Sequence, residues 1–160
     1  MEIERKFWLQ SLPPLEPTHH YRVRQGYISI EPVVRIRSKE LLDGEAMGQT
    51  SFKMTVKGKG HLVREEIESE ISAEFFSKLA AFIKEPLVEK DFFVYGYDGH
   101  TLEVSIVDPG TDDEFIYGEV EFGSVEEASA YAWPFEGATD VTQAVAFKMD
   151  NYWKRTRLDR

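Results

Sequence analysis

The amino-acid sequence predicts an α+β fold: an eight-stranded antiparallel β-barrel around a wet interior, with helices packed on the outside. Three observations predict it. Segments that alternate in polarity follow one another with only turns between them, which is the order of an antiparallel sheet rather than of strand–helix–strand units. Their number, about eight, is the number at which a closed barrel can hold one small ligand. And the polar face of strand after strand carries charge, beginning with Glu2, Glu4 and Lys6, which alternate with Ile3 and Arg5. Residues two apart share a strand face, so these charges line up on one side. Such a row is poor lining for a dry core, because an unpaired buried charge costs several kcal/mol out of the roughly 5–15 kcal/mol that stabilise a domain. It suits a wet interior.

Composition agrees. A chain of 160 residues with 42% hydrophobic residues fits a single domain, 1–160, with a real core, while 30% charged residues exceeds the usual quarter. The formal charge of -10 repels nucleic acid and anionic membranes, so a polyanion binds only at a local concentration of cations or with metal ions bridging it. With no cysteine, disulfides, thiol nucleophiles and thiolate zinc sites are excluded. No apolar run is long enough for a membrane span, and Glu2 and Glu4 do not fit a basic leader, so a cytoplasmic location is the default expectation.

The elements follow in order. After the first strand, Pro13, Pro14 and Pro17 mark a connector, since proline lacks the donor that a helix or central strand needs. Tyr21 to Ser29 and Pro32 to Ser38 read as strands, the second placing Arg35 and Arg37 on one face and Val34 and Ile36 on the other. A turn region over 41–50 leads to a strand with Lys53, Thr55 and Lys57 on one face, then the turn Gly58-Lys59-Gly60. Over 62–71, Arg64, Glu66, Glu68 and Glu70 again share a face. Ser72 reads as the N-cap of a helix whose stripe of Phe75, Phe76, Leu79, Phe82 and Ile83 should pack on the outside of the sheet. A hairpin runs from Val88 to Tyr95, turns through Gly96-Tyr97-Asp98-Gly99 and returns as Thr101 to Val107, bearing Lys90 and Glu103. The strand Phe115 to Phe122 carries Glu119 and Glu121 on one face. Ser124 and Glu127 stand at capping-box spacing, and a last helix is expected from Asp140 or Thr142 toward Arg155.

If the charged faces all point inward, Lys6, Arg35, Arg37, Lys53, Lys57, Arg64 and Lys90 meet Glu2, Glu4, Glu66, Glu68, Glu103, Glu119 and Glu121. A near-balanced set of this kind suits a polyanion held by cations on one side and by carboxylate-bound metal on the other. The four histidines show no metal-ligand spacing, Gly58-Lys59-Gly60 lacks the Walker spacing, and no nucleophile elbow occurs. Trp8, Trp133 and Trp153 are assigned to packing rather than to base stacking.

With these motifs in hand, the chain resembles the CYTH superfamily, the triphosphate tunnel metalloenzymes, whose recurring N-terminal Glu-x-Glu-x-Lys strand is matched by Glu2, Glu4 and Lys6. The likeness continues, in order, through Gln25-Gly26-Tyr27, Arg35-x-Arg37, Thr55-x-Lys57, Arg64-x-Glu66-x-Glu68, Lys90, Leu102-Glu103-Val104 and Glu119-x-Glu121. It implies a tunnel binding a triphosphate group with Mg2+ or Mn2+. By that resemblance Lys6, Arg35, Arg37, Lys57, Arg64 and Lys90 would hold phosphate oxygens. Glu2, Glu4, Glu119 and Glu121 would form the main metal cluster, with Glu66, Glu68 and Glu103 completing the carboxylate wall. Lys6, Glu119 and Glu121 would stand at the reacting end.

The implied activity is metal-dependent hydrolysis of inorganic triphosphate or of a small organic triphosphate, and Gln25-Gly26-Tyr27 is similar to the inorganic triphosphatase branch. Two alternatives stay open: a class IV adenylate cyclase making cyclic AMP from ATP, and a weakened protein that only binds phosphate or nucleotide. The last arises because Phe92 and Ser105 stand where the superfamily commonly has arginine and aspartate, a paired loss that would reduce activity without leaving a lone charge. No nucleic-acid or membrane partner is expected, and helices on the outside of such a barrel suit homodimer contact.

Overall fold

The computed structural model describes residues 1–160. Period-two alternation produces ten strands: β1 (Glu2–Leu9), β2 (His19–Ile30), β3 (Val33–Leu41), β4 (Thr50–Lys57), β5 (Val63–Arg64), β6 (Glu66–Glu70), β7 (Val88–Tyr97), β8 (His100–Val107), β9 (Phe115–Glu121) and β10 (Ala138–Asp140). Their order is β10-β1-β9-β8-β7-β2-β3-β4-β6, with β5 paired to β1. Every pairing is antiparallel. The ring closes through one stretch of chain. β5 pairs with β1, setting Arg64 against Glu2, while β6 pairs with β4, setting Glu66 against Lys57.

Two differences from the sequence expectation lie here. The strand expected over 62–71 is interrupted at Glu65, whose carbonyl accepts from the Gly58 amide at 2.9 Å instead of joining a ladder. And β10 adds a short strand at the edge of β1. Counting β5 and β6 as one bent strand and setting β10 aside as a flap leaves the expected eight-stranded barrel. The β7–β8 turn is tighter than the expected Gly96–Gly99, since the ladder runs on to Tyr97 and His100 and leaves a two-residue Asp98-Gly99 turn with φ of 50° and 77°.

Helices cover the outside. In α1 (Ala73–Phe82), Ser72 Oγ accepts from the Phe75 amide at 3.0 Å, as the cap signal requires. Phe76 is its buried anchor, 5.3 Å from the Phe52 ring, whereas Phe75 and Phe82 are 47% and 81% exposed. The apolar stripe is therefore wider than the face this short helix presents to β2, β3 and β4. On the opposite side, α2 (Val125–Ala130) starts at Ser124, whose hydroxyl accepts from the Glu127 amide. The segment after it lays Tyr131, Trp133 and Phe135 over Phe7, Leu9, Val104 and Val120. Gly118 makes room: a Cβ there would lie 2.6 Å from the Trp133 ring.

The last helix begins later than expected. Asp140 Oδ1 accepts from both the amide and the hydroxyl of Thr142, and the Val141 amide donates to Lys6 O at 2.9 Å. That segment is thereby held on β1. After a 3-10 turn at Val145–Phe147, α3 (Met149–Trp153) runs into a wider turn over Lys154–Leu158. Met149, Tyr152 and Trp153 pack on Tyr27, Val88, Val107 and Tyr117 and cover one end of the barrel. Asp108 ties this cover down, accepting from the Tyr152 hydroxyl and from Arg157 at 2.7 and 3.1 Å. No helix is long and apolar enough to cross a membrane.

Candidate active site

Inside the barrel lies a cavity of about 400 Å³. Strand alternation delivers its lining. β1 contributes Glu2, Glu4 and Lys6; β3 contributes Arg35 and Arg37; β4 contributes Lys57. Arg64, Glu66 and Glu68 come from β5 and β6, Lys90 from β7, Glu103 from β8, and Glu119 and Glu121 from β9. Each charged residue singled out from the sequence as a binding, metal or reacting-end candidate therefore faces this one space. The ladder registers set Lys6 opposite Glu119, and acid opposite acid at Glu4 and Glu121 and at Glu103 and Glu119.

Much of the lining is acidic. Carboxylate oxygens of Glu2, Glu4 and Glu121 lie within 4.8 Å of one another. Burial, with Glu119 facing it, pushes the Glu4 carboxyl well above the ordinary range. Burial alone would raise Glu119 too, but the Lys6 ammonium, a hydrogen bond from Glu4, and Lys57 and Lys90 bring it down to about 2. Burial and a hydrogen bond to Glu2 raise Glu66 to about 7, and burial with Glu119 and Glu121 nearby raises Glu103 to about 7. Glu2 is balanced differently, with Lys57 and Arg64 at 3.6 and 3.5 Å from its Oε1. Such a set attracts either protons or a hard cation.

Basic groups are interleaved with these acids. Lys90, only 4% exposed, donates to the Tyr117 hydroxyl at 2.5 Å, and burial drops its pKa well below the usual lysine range. Lys6 donates to Phe147 O at 2.5 Å and lies 4.2 Å over the Tyr117 ring. Arg35 donates to Thr55 Oγ1, whose own hydroxyl donates to Glu68. Arg37 makes no hydrogen bond or ion pair, and burial followed by repulsion from Arg35 lowers its pKa. These cations are anchored by aromatic rings, hydroxyls and carbonyls more than by acids. That arrangement leaves their charge free for an anion.

Several lining residues were not read from the sequence. Tyr27 and Tyr117 form the buried end of the cavity, and His61, Lys148 and Asp150 reach it from a loop and from the C-terminal segment. Irregular backbone gives no periodicity, so no sequence signal pointed to His61. Lys148 and Asp150 were hidden in the run read as one long helix. Phe92 also lines the cavity, directly opposite Ser105 on the neighbouring strand.

No family model matches the chain. A relative from Nitrosomonas europaea named inorganic triphosphatase is 31% identical over 148 residues, covering 92% of this chain and 93% of the relative. A crystal structure described as an inorganic triphosphatase superposes with a TM-score of 0.62 at 26% identity, over 95% of this chain and 93% of that one. A structure of a conserved hypothetical protein from Pyrococcus furiosus has a TM-score of 0.50 at 21% identity, over 81% of this chain and 84% of that one, which is a likeness of fold alone.

Proposed function

We propose that this chain, which belongs to the inorganic triphosphatase family, hydrolyses inorganic triphosphate inside its barrel. The single observation that carries the reading is the convergence of Lys6, Arg35, Arg37, Lys57, Arg64 and Lys90 on one cavity that Glu2, Glu4, Glu66, Glu68, Glu103, Glu119 and Glu121 also line. The ordered strand-face charges and the closed barrel support placing it in the CYTH superfamily.

In this reading the guanidinium groups grip phosphate oxygens through paired hydrogen bonds while the lysines supply point charges. Glu2, Glu4 and Glu121 fit Mg2+ or Mn2+, because three carboxylates brought within 4.8 Å are the hard oxygen donors these ions prefer. Glu66, Glu68 and Glu103 complete that wall. A bound divalent ion would neutralise phosphate charge and acidify a water. Glu119, which Lys6, Lys57 and Lys90 keep ionised, faces those ammonium groups beside the metal carboxylates. Hydrolysis forms a bond from a water oxygen to the terminal phosphorus and breaks the anhydride P–O bond, releasing orthophosphate and pyrophosphate.

The test is incubation of the protein with tripolyphosphate and Mg2+ or Mn2+, following phosphate release, with ATP and thiamine triphosphate as competitors. Release from tripolyphosphate at saturating metal is expected. Absence of release with either metal sinks the reading, and cyclic AMP formed from ATP would replace it with the cyclase.

A further inference from the structure

The inner face of β3 does not stop at Arg37. Arg35, Arg37 and Lys39 succeed one another at two-residue spacing, roughly 6.7 Å apart along the strand. Arg35 is bonded to Thr55, but neither Arg37 nor Lys39 has a hydrogen bond or an ion pair. The carboxylates that act on Lys39, Glu103 and Glu68, do so only through space, and Glu68 is already paired with Lys53 at 3.1 Å. What holds Lys39 is aromatic: its Nζ lies 4.3 Å from the Tyr21 ring centroid and 4.7 Å from that of Phe92. Those rings are themselves neighbours at 6.0 Å, and Phe92 is part of the cavity wall. Two unneutralised cations side by side repel each other, and burial makes the repulsion worse. An anion placed between them reverses its sign.

We propose that Lys39 is a further substrate-binding residue, the outermost cation of the phosphate track, stored on Tyr21 and Phe92 until it closes on the trailing phosphate of a linear inorganic chain. The proposal rests on the cavity being a triphosphate site and deepens it toward substrate class. With the reacting end among Lys6, Glu119 and Glu121, the group beside Lys39 is a fully charged end phosphate in tripolyphosphate. In a nucleotide it is a phosphate ester with one charge fewer and an uncharged sugar beyond it. A cation at that place therefore favours the inorganic chain.

Lys39→Met and Lys39→Arg are compared with the parent in two measurements, steady-state hydrolysis and calorimetric binding of tripolyphosphate and ATP. One charge-assisted contact corresponds to about ten-fold in affinity or more. Lys39→Met is expected to raise KM and Kd for tripolyphosphate roughly ten-fold, with kcat within about two-fold because binding is lost uniformly. Lys39→Arg should recover most of it, and ATP binding should move by less than about two-fold. Unchanged tripolyphosphate affinity in Lys39→Met, or an equal loss for ATP, overturns the proposal. A parent that binds tripolyphosphate without hydrolysing it would defeat the triphosphatase reading alone, since the calorimetric comparison would still read Lys39.

Discussion

Phe92 and Ser105 face each other across β7 and β8, and the ring of Phe92 carries the Lys39 ammonium. Replacing Phe92 with arginine would set a guanidinium beside Arg37 and Lys39 with no added acid. We expect Phe92→Arg to tighten tripolyphosphate binding several-fold while lowering the melting temperature of the ligand-free protein; adding Ser105→Asp should restore the melting temperature, a coupling that a double-mutant cycle reads directly. Equal tripolyphosphate affinity in Phe92→Arg and parent would show that the phenyl ring does not weaken the site. Glu121→Gln removes one of three clustered carboxylates, so the Mn2+ concentration that gives half-maximal thermal stabilisation should rise at least about ten-fold, the usual cost of a lost contact at a metal site. At this scale most of the site was legible, because a strand repeats its facing direction every second residue and the charges obey that period. Lys39 obeys it too, two positions beyond Arg37, but Ser38 and Glu40 on the other face are polar as well, so alternation there carried no contrast. Lys148 and His61 reach the cavity from irregular backbone, where no period exists to read.

Two elements depend on tight fits that local sequence does not announce. Gly118 on β9 lies under Trp133, and Gly118→Ala is expected to cost about 1–3 kcal/mol in denaturant unfolding, the range for overpacking against a stiff ring. Trp153 is 1% exposed at the base of α3, and Trp153→Ala should cost about 3–5 kcal/mol. If activity per folded molecule survives that change, α3 is only a brace; loss of activity at full folding would give the covered end a part in binding. The strands and the first two helices were legible because their signals are local: alternation, a capping serine, an Asp-Gly turn. The start of the last helix was not, since what holds Asp140 to Thr142 in extended form is pairing with Lys6, more than a hundred residues away in the chain. Likewise the count of strands followed from sequence, whereas the split at Glu65 that lets one segment join β1 to β4 is a matter of distant partners.

For the molecule as a whole, two groups of carboxyls pull stability in opposite directions with pH. Burial raises Glu66 and Glu103 to about 7, so in metal-free protein they take up protons more readily folded than unfolded. Their contribution is full near pH 4 and fades as pH rises through about 7. Asp108 behaves oppositely. Burial would raise it, but hydrogen bonds from Arg157, Tyr152 and the Glu89 amide hold it below the ordinary aspartate value, so its contribution is present above about pH 4 and lost as pH falls further. These carboxyls should therefore add stability to the ligand-free protein as pH falls from 7 to 5 and withdraw it below about pH 4. Asp108→Asn should lower the melting temperature at pH 7 and flatten the acid limb; an unchanged acid limb would remove Asp108 from the account.

The placement of charge has one more consequence. With a formal charge of -10 on the chain and its inward-facing cations nearly matched by inward-facing acids, the excess of negative charge sits on the outer surface. A bare triphosphate drifting toward the barrel thus climbs a repulsive hill before it feels any attraction, and added salt, which ordinarily slows capture of a polyanion by its receptor, should here quicken it by flattening that hill. A triphosphate that arrives already wrapped in magnesium has less of the slope to climb.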